Sequence, residues 1–85
     1  MPAKYFSTDK KAQKQLKRMP EKVHKRVIET LAKLKRNPLL GEKLHGELAG
    51  YFKYRLGDYR IVYRFDAKSS TLLVVKIEHR QGSYK

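Results

Sequence analysis

Between Tyr51 and Asp66 the sequence YFKYRLGDYRIVYRFD places four cations, Lys53, Arg55, Arg60 and Arg64, at spacings that a β-hairpin converts into one surface. Side chains alternate across a strand, and a two-residue loop such as Gly57-Asp58 fixes the register of the hairpin it closes. The predicted pairs are Leu56 with Tyr59, Arg55 with Arg60, Tyr54 with Ile61, Lys53 with Val62 and Phe52 with Tyr63. Phe52, Tyr54, Leu56, Ile61, Tyr63 and Phe65 then share an apolar face. Lys53, Arg55, Arg60 and Arg64 share the other, with Tyr51 and Val62. Like charges directly opposed across strands are destabilising, where each cross-strand pair is worth ~0.2–1 kcal/mol, and Lys53 adds a third charge within diagonal reach. A multiply charged anion on this face reverses the sign of the effect. One Lys or Arg here reads as a solvated sheet face. Three or four, two of them opposed, point to a site for an anion such as phosphate.

A third strand, Thr71–His79, follows the turn region Ala67–Ser70. With Leu73, Val75 and Ile77 phased into the core, Val74, Lys76, Glu78 and Arg80 join the basic face, where Glu78 is the obvious counter-charge. An odd-length connection gives this phase, and a four-residue loop gives the opposite one.

The elements before the hairpin must hold it. Lys4–Ser7 reads as a short first strand. Thr8 or Asp9 can cap the helix that follows, in which Ala12, Leu16 and Met19 form one stripe while Lys10, Lys14, Lys17 and Arg18 lie elsewhere. Pro20 ends it and suits the start of a second helix over Glu21–Arg36, with Val23, Val27, Leu31 and Leu34 buried. Asn37-Pro38 stops that helix, because the residue before proline is pushed out of the α region. Residues 39–50, LLGEKLHGELAG, form a connector of unpredicted shape, anchored by Leu40, Leu44 and Leu48. The order β-α-α-β-β-β defines an α+β fold, a single domain over residues 1–85, with two antiparallel helices packed on one face of an antiparallel sheet.

Composition narrows the partners. In 85 residues, 21 Lys and Arg stand against 8 Asp and Glu, a net charge of +13. Residues 1–43 hold 13 basic and 4 acidic side chains, and residues 44–85 hold 8 and 4, so the first half supplies bulk field and the second places fewer charges. Such a chain attracts polyanions in a salt-dependent way, and nucleic acid is favoured over a membrane surface. With no Cys there is no disulfide framework, thiolate chemistry or Cys-ligated metal site. No apolar run approaches the roughly 18 residues of a membrane helix, and MPAKYFSTDKK lacks a signal-peptide core. The expected compartment is the cytoplasm.

Two segments carry a resemblance. LHGELAGYFKYRLGDYRIVYRFD followed by LLVVKIEHRQGSY resembles the RelE-type toxins of the RelE/ParE superfamily, at Gly57-Asp58-Tyr59-Arg60-Ile61-Val62-Tyr63 and at His79-Arg80-Gln81-Gly82-Ser83-Tyr84. The length and element order agree over essentially the whole chain. The resemblance implies a ribosome-dependent mRNA endonuclease that uses no metal or other cofactor. In such an enzyme the 2′-OH of the RNA attacks the adjacent phosphorus and the 5′-oxygen leaves. That chemistry needs a base, cations for the added phosphoryl charge and an acid.

By resemblance, Lys53 and Arg55 take the paired basic positions before the turn. Lys53 is then a base or the support of one, which requires neighbouring cations to lower its pKa. Arg60 is the arginine that clamps the transition state, Arg80 a second arginine, and Tyr84 a terminal tyrosine that stacks on a base or moves a proton. His79 has the opposite strand parity to Arg80, and either packs inward or transfers a proton. Arg64 and Lys76 extend the RNA-binding face, and Lys10, Lys14 and Lys17 are candidates for ribosomal RNA phosphates. The implied partners are the ribosome, mRNA and a cognate antitoxin, in assemblies up to a heterotetramer or larger, with no membrane. Two alternatives stay open: a ParE-type gyrase inhibitor with no nuclease site, and a member that binds antitoxin after losing catalysis.

Overall fold

The computed structural model describes residues 2–79. Its elements are β1 (Tyr5–Thr8), α1 (Lys10–Arg18), α2 (Glu21–Arg36), β2 (Glu42–Lys43), a 3-10 turn (Gly46–Leu48), β3 (Tyr51–Leu56), β4 (Tyr59–Asp66) and β5 (Thr71–His79). The α+β order is the expected one. Asp9 is the cap of α1, its carboxylate accepting from the Lys10 N–H at 2.9 Å. The second helix stops at Arg36, ahead of Asn37-Pro38. Among the described residues no helix is long and apolar enough to cross a membrane.

The five strands form one sheet in the order β1-β5-β4-β3-β2. It is mixed rather than purely antiparallel, because β1 runs parallel to β5, from Tyr5 opposite Thr71 to Thr8 opposite Val74. Parallel neighbours need a long crossover, and the two helices and the hairpin between β1 and β5 supply it. Past Thr8 the free edge of β5 loses its partner strand. The Asp9 N–H donates to the Val74 carbonyl at 2.9 Å, and the Gln15 side-chain carbonyl accepts from the Ile77 N–H at 2.8 Å. A buried N–H left alone would be costly, so α1 seals that edge.

One core lies between the helices and the sheet. Ala12, Val27, Leu31 and Leu34 meet Phe52, Ile61, Tyr63, Leu72, Val74 and Ile77. Each large apolar side chain fully removed from water contributes about 1.5–3 kcal/mol. The expected stripes of both helices are all used, with Leu16, Met19 and Val23 at the margin.

The phase of β5 needs correction. Leu72 and Val74 are the core residues of its first half, and Leu73 and Val75 are not. The connection from Asp66 to Thr71 spans four residues, so the strand starts in the opposite phase. A β-bulge then intervenes: Val62 pairs with Lys76 and Tyr63 with Val74, leaving Val75 as the extra residue. Beyond it Ile77 is in the core, and Lys76 and Glu78 lie on the basic face as expected.

Candidate functional site

The hairpin has the register its turn dictates, Leu56–Tyr59, Arg55–Arg60, Tyr54–Ile61, Lys53–Val62 and Phe52–Tyr63, extended to Tyr51–Arg64. Gly57 sits at φ +59°, as the first central residue of a tight hairpin turn requires. Lys53, Arg55 and Arg60 therefore occupy one face at neighbouring positions, and all three line one groove of about 620 Å³, walled on one side by Leu40 and Gly41.

Two glutamates hold this cluster. Glu78, opposite Arg60 across β4 and β5, accepts from the Arg60 Nε at 3.0 Å and Nη2 at 2.7 Å through the same oxygen. Its other oxygen lies 3.3 Å from the Lys76 Nζ. Partial burial pushes the Glu78 carboxyl up, but the hydrogen bonds and charges of Arg60 and Lys76 outweigh it, so the group titrates below its ordinary value. Glu42 lies 3.5 Å from the Lys53 Nζ. Arg55 is exposed and has no carboxylate partner among the described residues. Two carboxylates against Lys53, Arg55, Arg60 and Lys76 leave the face positive. Arg60 also keeps guanidinium N–H groups that Glu78 does not use, since five are available.

Glu42 was not foreseen, because the chain's path through the connector places it. Tyr63, fully buried on the helix side, donates its hydroxyl to the Pro38 carbonyl at 2.9 Å and accepts from the Gly41 N–H at 2.8 Å. Burial pushes its phenol above the ordinary value, against the Gly41 N–H, which lowers it. A Cβ on Gly41 would stand 2.5 Å from that hydroxyl oxygen and 2.8 Å from the Lys53 carbonyl, so only glycine fits. Gripped there, the chain pairs Glu42 with Lys53 and Lys43 with Phe52. No local pattern of apolar residues announces a two-residue strand.

Other candidates are placed elsewhere. His79 is the register partner of Tyr59, on the opposite face from Arg60, and its ring packs 4.7 Å from the Tyr59 ring. It is exposed rather than inward-packed. Arg64 lies four residues along β4 from Arg60, about 13 Å at strand spacing, with its guanidinium 5.8 Å from the centre of the Tyr51 ring. Lys10, Lys14 and Lys17 are exposed on α1 and do not join the groove. Arg80 and Tyr84 lie outside the described residues.

A cluster of guanidinium and ammonium groups, partly countered by carboxylates and open to solvent, can bind a phosphodiester and stabilise added charge on it. The carboxylate beside Lys53 is a second group able to accept a proton.

Known proteins share this arrangement of elements. The family described as "ParE toxin of type II toxin-antitoxin system, parDE" matches residues 7–84. Toxin RelG of Mycobacterium tuberculosis is 36% identical over 76 residues, covering 87% of each chain. Toxin RelE of the same organism is also 36% identical over 76 residues, covering 87% of this chain and 78% of its own. Among solved structures, the toxin–antitoxin complex RelBE2 of M. tuberculosis superposes with a TM-score of 0.84 at 33% identity, over 94% of both chains. The isolated E. coli RelE toxin, at 20% identity, a TM-score of 0.79 and coverage of 88% and 82%, shares the fold. Family match, relatives and fold agree over nearly the whole chain, which belongs to the RelE/ParE family and is a toxin of the type II toxin–antitoxin class.

Proposed function

We propose that this toxin is an endoribonuclease that cleaves mRNA in the ribosomal A site without a metal. The observation that carries the reading is the register pair Arg55–Arg60 with Lys53 beside it, three cations converging on one open groove. In this reading Arg60 and Arg55 hold the non-bridging oxygens of the scissile phosphate. Lys53, or Glu42 beside it, takes the proton from the 2′-OH. The 2′-oxygen bonds to phosphorus, the bond from phosphorus to the 5′-oxygen breaks, and the leaving oxygen receives a proton, giving a 2′,3′-cyclic phosphate and a 5′-OH. Arg80 and Tyr84 enter through the His79–Tyr84 motif, as a further cation and as a stacking or proton-transfer group. The M. tuberculosis relative solved as a toxin–antitoxin complex supports a cognate antitoxin as the partner that masks the basic face. The cytoplasm, where mRNA and ribosomes are, is the compartment in which the reading operates.

A gyrase-inhibiting toxin is the second reading, favoured by the ParE description of the matching family. Expression of wild type and Arg60→Ala under tight control, with mRNA 5′ ends mapped, separates them. Codon-phased cleavage lost in the variant supports the nuclease. Growth arrest with intact mRNA and broken DNA supports gyrase inhibition, and absence of toxicity in both supports a member that has lost its activity.

A further inference from the structure

The outer face of the sheet is not uniformly polar. Val62, opposite Lys53 on that face, is only 5% exposed. The connector overhangs it: Leu44, Leu48, Tyr51, Val62 and Val75 line a cavity of about 420 Å³, within the range of small-ligand sites. Val75 follows the buried Val74 and so faces outward by alternation. It has no partner on β4, and the bulge turns the next residue, Lys76, to the same face, so that an apolar and a charged side chain stand side by side there. Bulges re-aim side chains in this way beside functional sites.

The wall of this cavity is the chemically informative part. Lys53 and Arg60 line it, and they also line the polar groove with Arg55 and Glu42. The same two cations thus stand between a charged compartment and an apolar one. Val62 lies two residues from Arg60 on β4, about 6.7 Å along the strand. A ligand reaching both compartments must carry an anionic group joined by a short spacer to a flat apolar one. A nucleotide has that form. We propose that the apolar cavity receives the base of the nucleotide whose phosphate lies on Lys53 and Arg60. This rests on the reading of the groove as an RNA-phosphate site and adds where the base goes. With Tyr51 as its aromatic wall and aliphatic groups around it, the cavity accepts a base by stacking and shape, which every base offers, instead of by edge-specific hydrogen bonds. Asp9, Lys11, Lys76 and Glu78 complete the lining, and in this reading their charged groups meet ribose or solvent while the base lies against the apolar side chains.

The test uses the full chain free in solution, with adenosine 5′-monophosphate and ribose 5-phosphate as probes of equal phosphate and unequal base. Methyl-resolved NMR titration is expected to show adenosine monophosphate binding at least about fivefold tighter, with shifts at the Val62, Val75, Leu44 and Leu48 methyls that ribose 5-phosphate does not produce. Leu48→Ser alters a half-exposed residue and is expected to erase the advantage of the base while leaving ribose 5-phosphate binding unchanged. Equal affinity for both probes, or shifts confined to the polar groove, overturns the proposal. So does a cavity whose methyls respond to the cognate antitoxin and to no nucleotide. The cleavage assay with Arg60→Ala is read separately: cleavage without a base advantage leaves the nuclease reading standing and removes the base site, and a base advantage without cleavage does the reverse.

Discussion

The β3–β4 hairpin presents two faces built from the same backbone and unlike in every other respect. On the helix side Phe52, Ile61 and Tyr63 are buried, with the Phe52 and Tyr63 rings stacked at 5.4 Å. On the other side Lys53, Arg55 and Arg60 stand open to an anion. The first face gains free energy from contact alone. The second holds an opposed arginine pair that costs stability, a cost that Glu78 offsets through Arg60. Stability and binding are thus assigned to opposite sides of one sheet, and substitutions should separate them.

The sharpest separation comes from Arg60→Ala. Cleavage in a ribosome-dependent assay should fall about 10²–10³-fold, the usual loss when one donor to developing charge is removed. The free energy of unfolding should move by less than about 1 kcal/mol, because an exposed ion pair and a like-charge repulsion are lost together. A loss of several kcal/mol in urea denaturation would break the division between the faces.

Tyr63→Phe tests the buried side. It orphans the Pro38 carbonyl and the Gly41 N–H and should cost about 1–3 kcal/mol by urea denaturation. It should also change the alkaline limb. The phenol is raised above its ordinary 10.0 in the folded chain, so the unfolded chain ionises first. Stability is full below pH 10 and falls as pH rises beyond it, and the variant should lose that slope.

Glu78→Gln is smaller and acts at the other end of the scale. Its folded pKa lies below the ordinary 4.5, so its contribution is present above that value and lost as pH falls through the folded pKa. The variant should flatten the acid limb by losing that modest contribution at neutral pH and converging on the wild type near pH 3, read from thermal midpoints between pH 3 and 7. The smallest effects belong to Lys10, Lys14 and Lys17: each change to Ala should weaken ribosome association a few-fold and reduce its salt dependence, with no threshold. Abrupt loss at any one of them would move part of the site onto α1.

The two strands flanking β4 differ in how much of them the sequence discloses, for a physical reason. β3 is tied to β4 by two residues, so local geometry determines its register and the convergence of Lys53, Arg55 and Arg60 follows. β5 is joined by four residues and broken by a bulge, and each reverses parity. The two reversals cancel after Val75, which is why the expected faces hold for Lys76, Ile77 and Glu78 and fail for Leu73, Val74 and Val75. The β1–β5 pairing and the Glu42–Lys53 contact join residues far apart in the chain, and hydrophobic period carries no trace of either. The cations of the site were legible because a turn aligns them; their counter-charge on the connector was not, because the core does.

The grip of Tyr63 on Gly41 has a consequence for how this sequence can drift. The Tyr63 hydroxyl and the Lys53 carbonyl both occupy the space a side chain at residue 41 would need, so that position cannot change freely. A descendant that gains a side chain at residue 41 must re-route the connector even if it gives up the tyrosine hydroxyl, because the Lys53 carbonyl also stands 2.8 Å from the added carbon, and a re-routed connector carries Glu42 away from Lys53. Residue 41, twenty-two positions from Tyr63 in the chain, should therefore stay glycine wherever the groove is kept, and a lineage that replaces it would have rebuilt its groove.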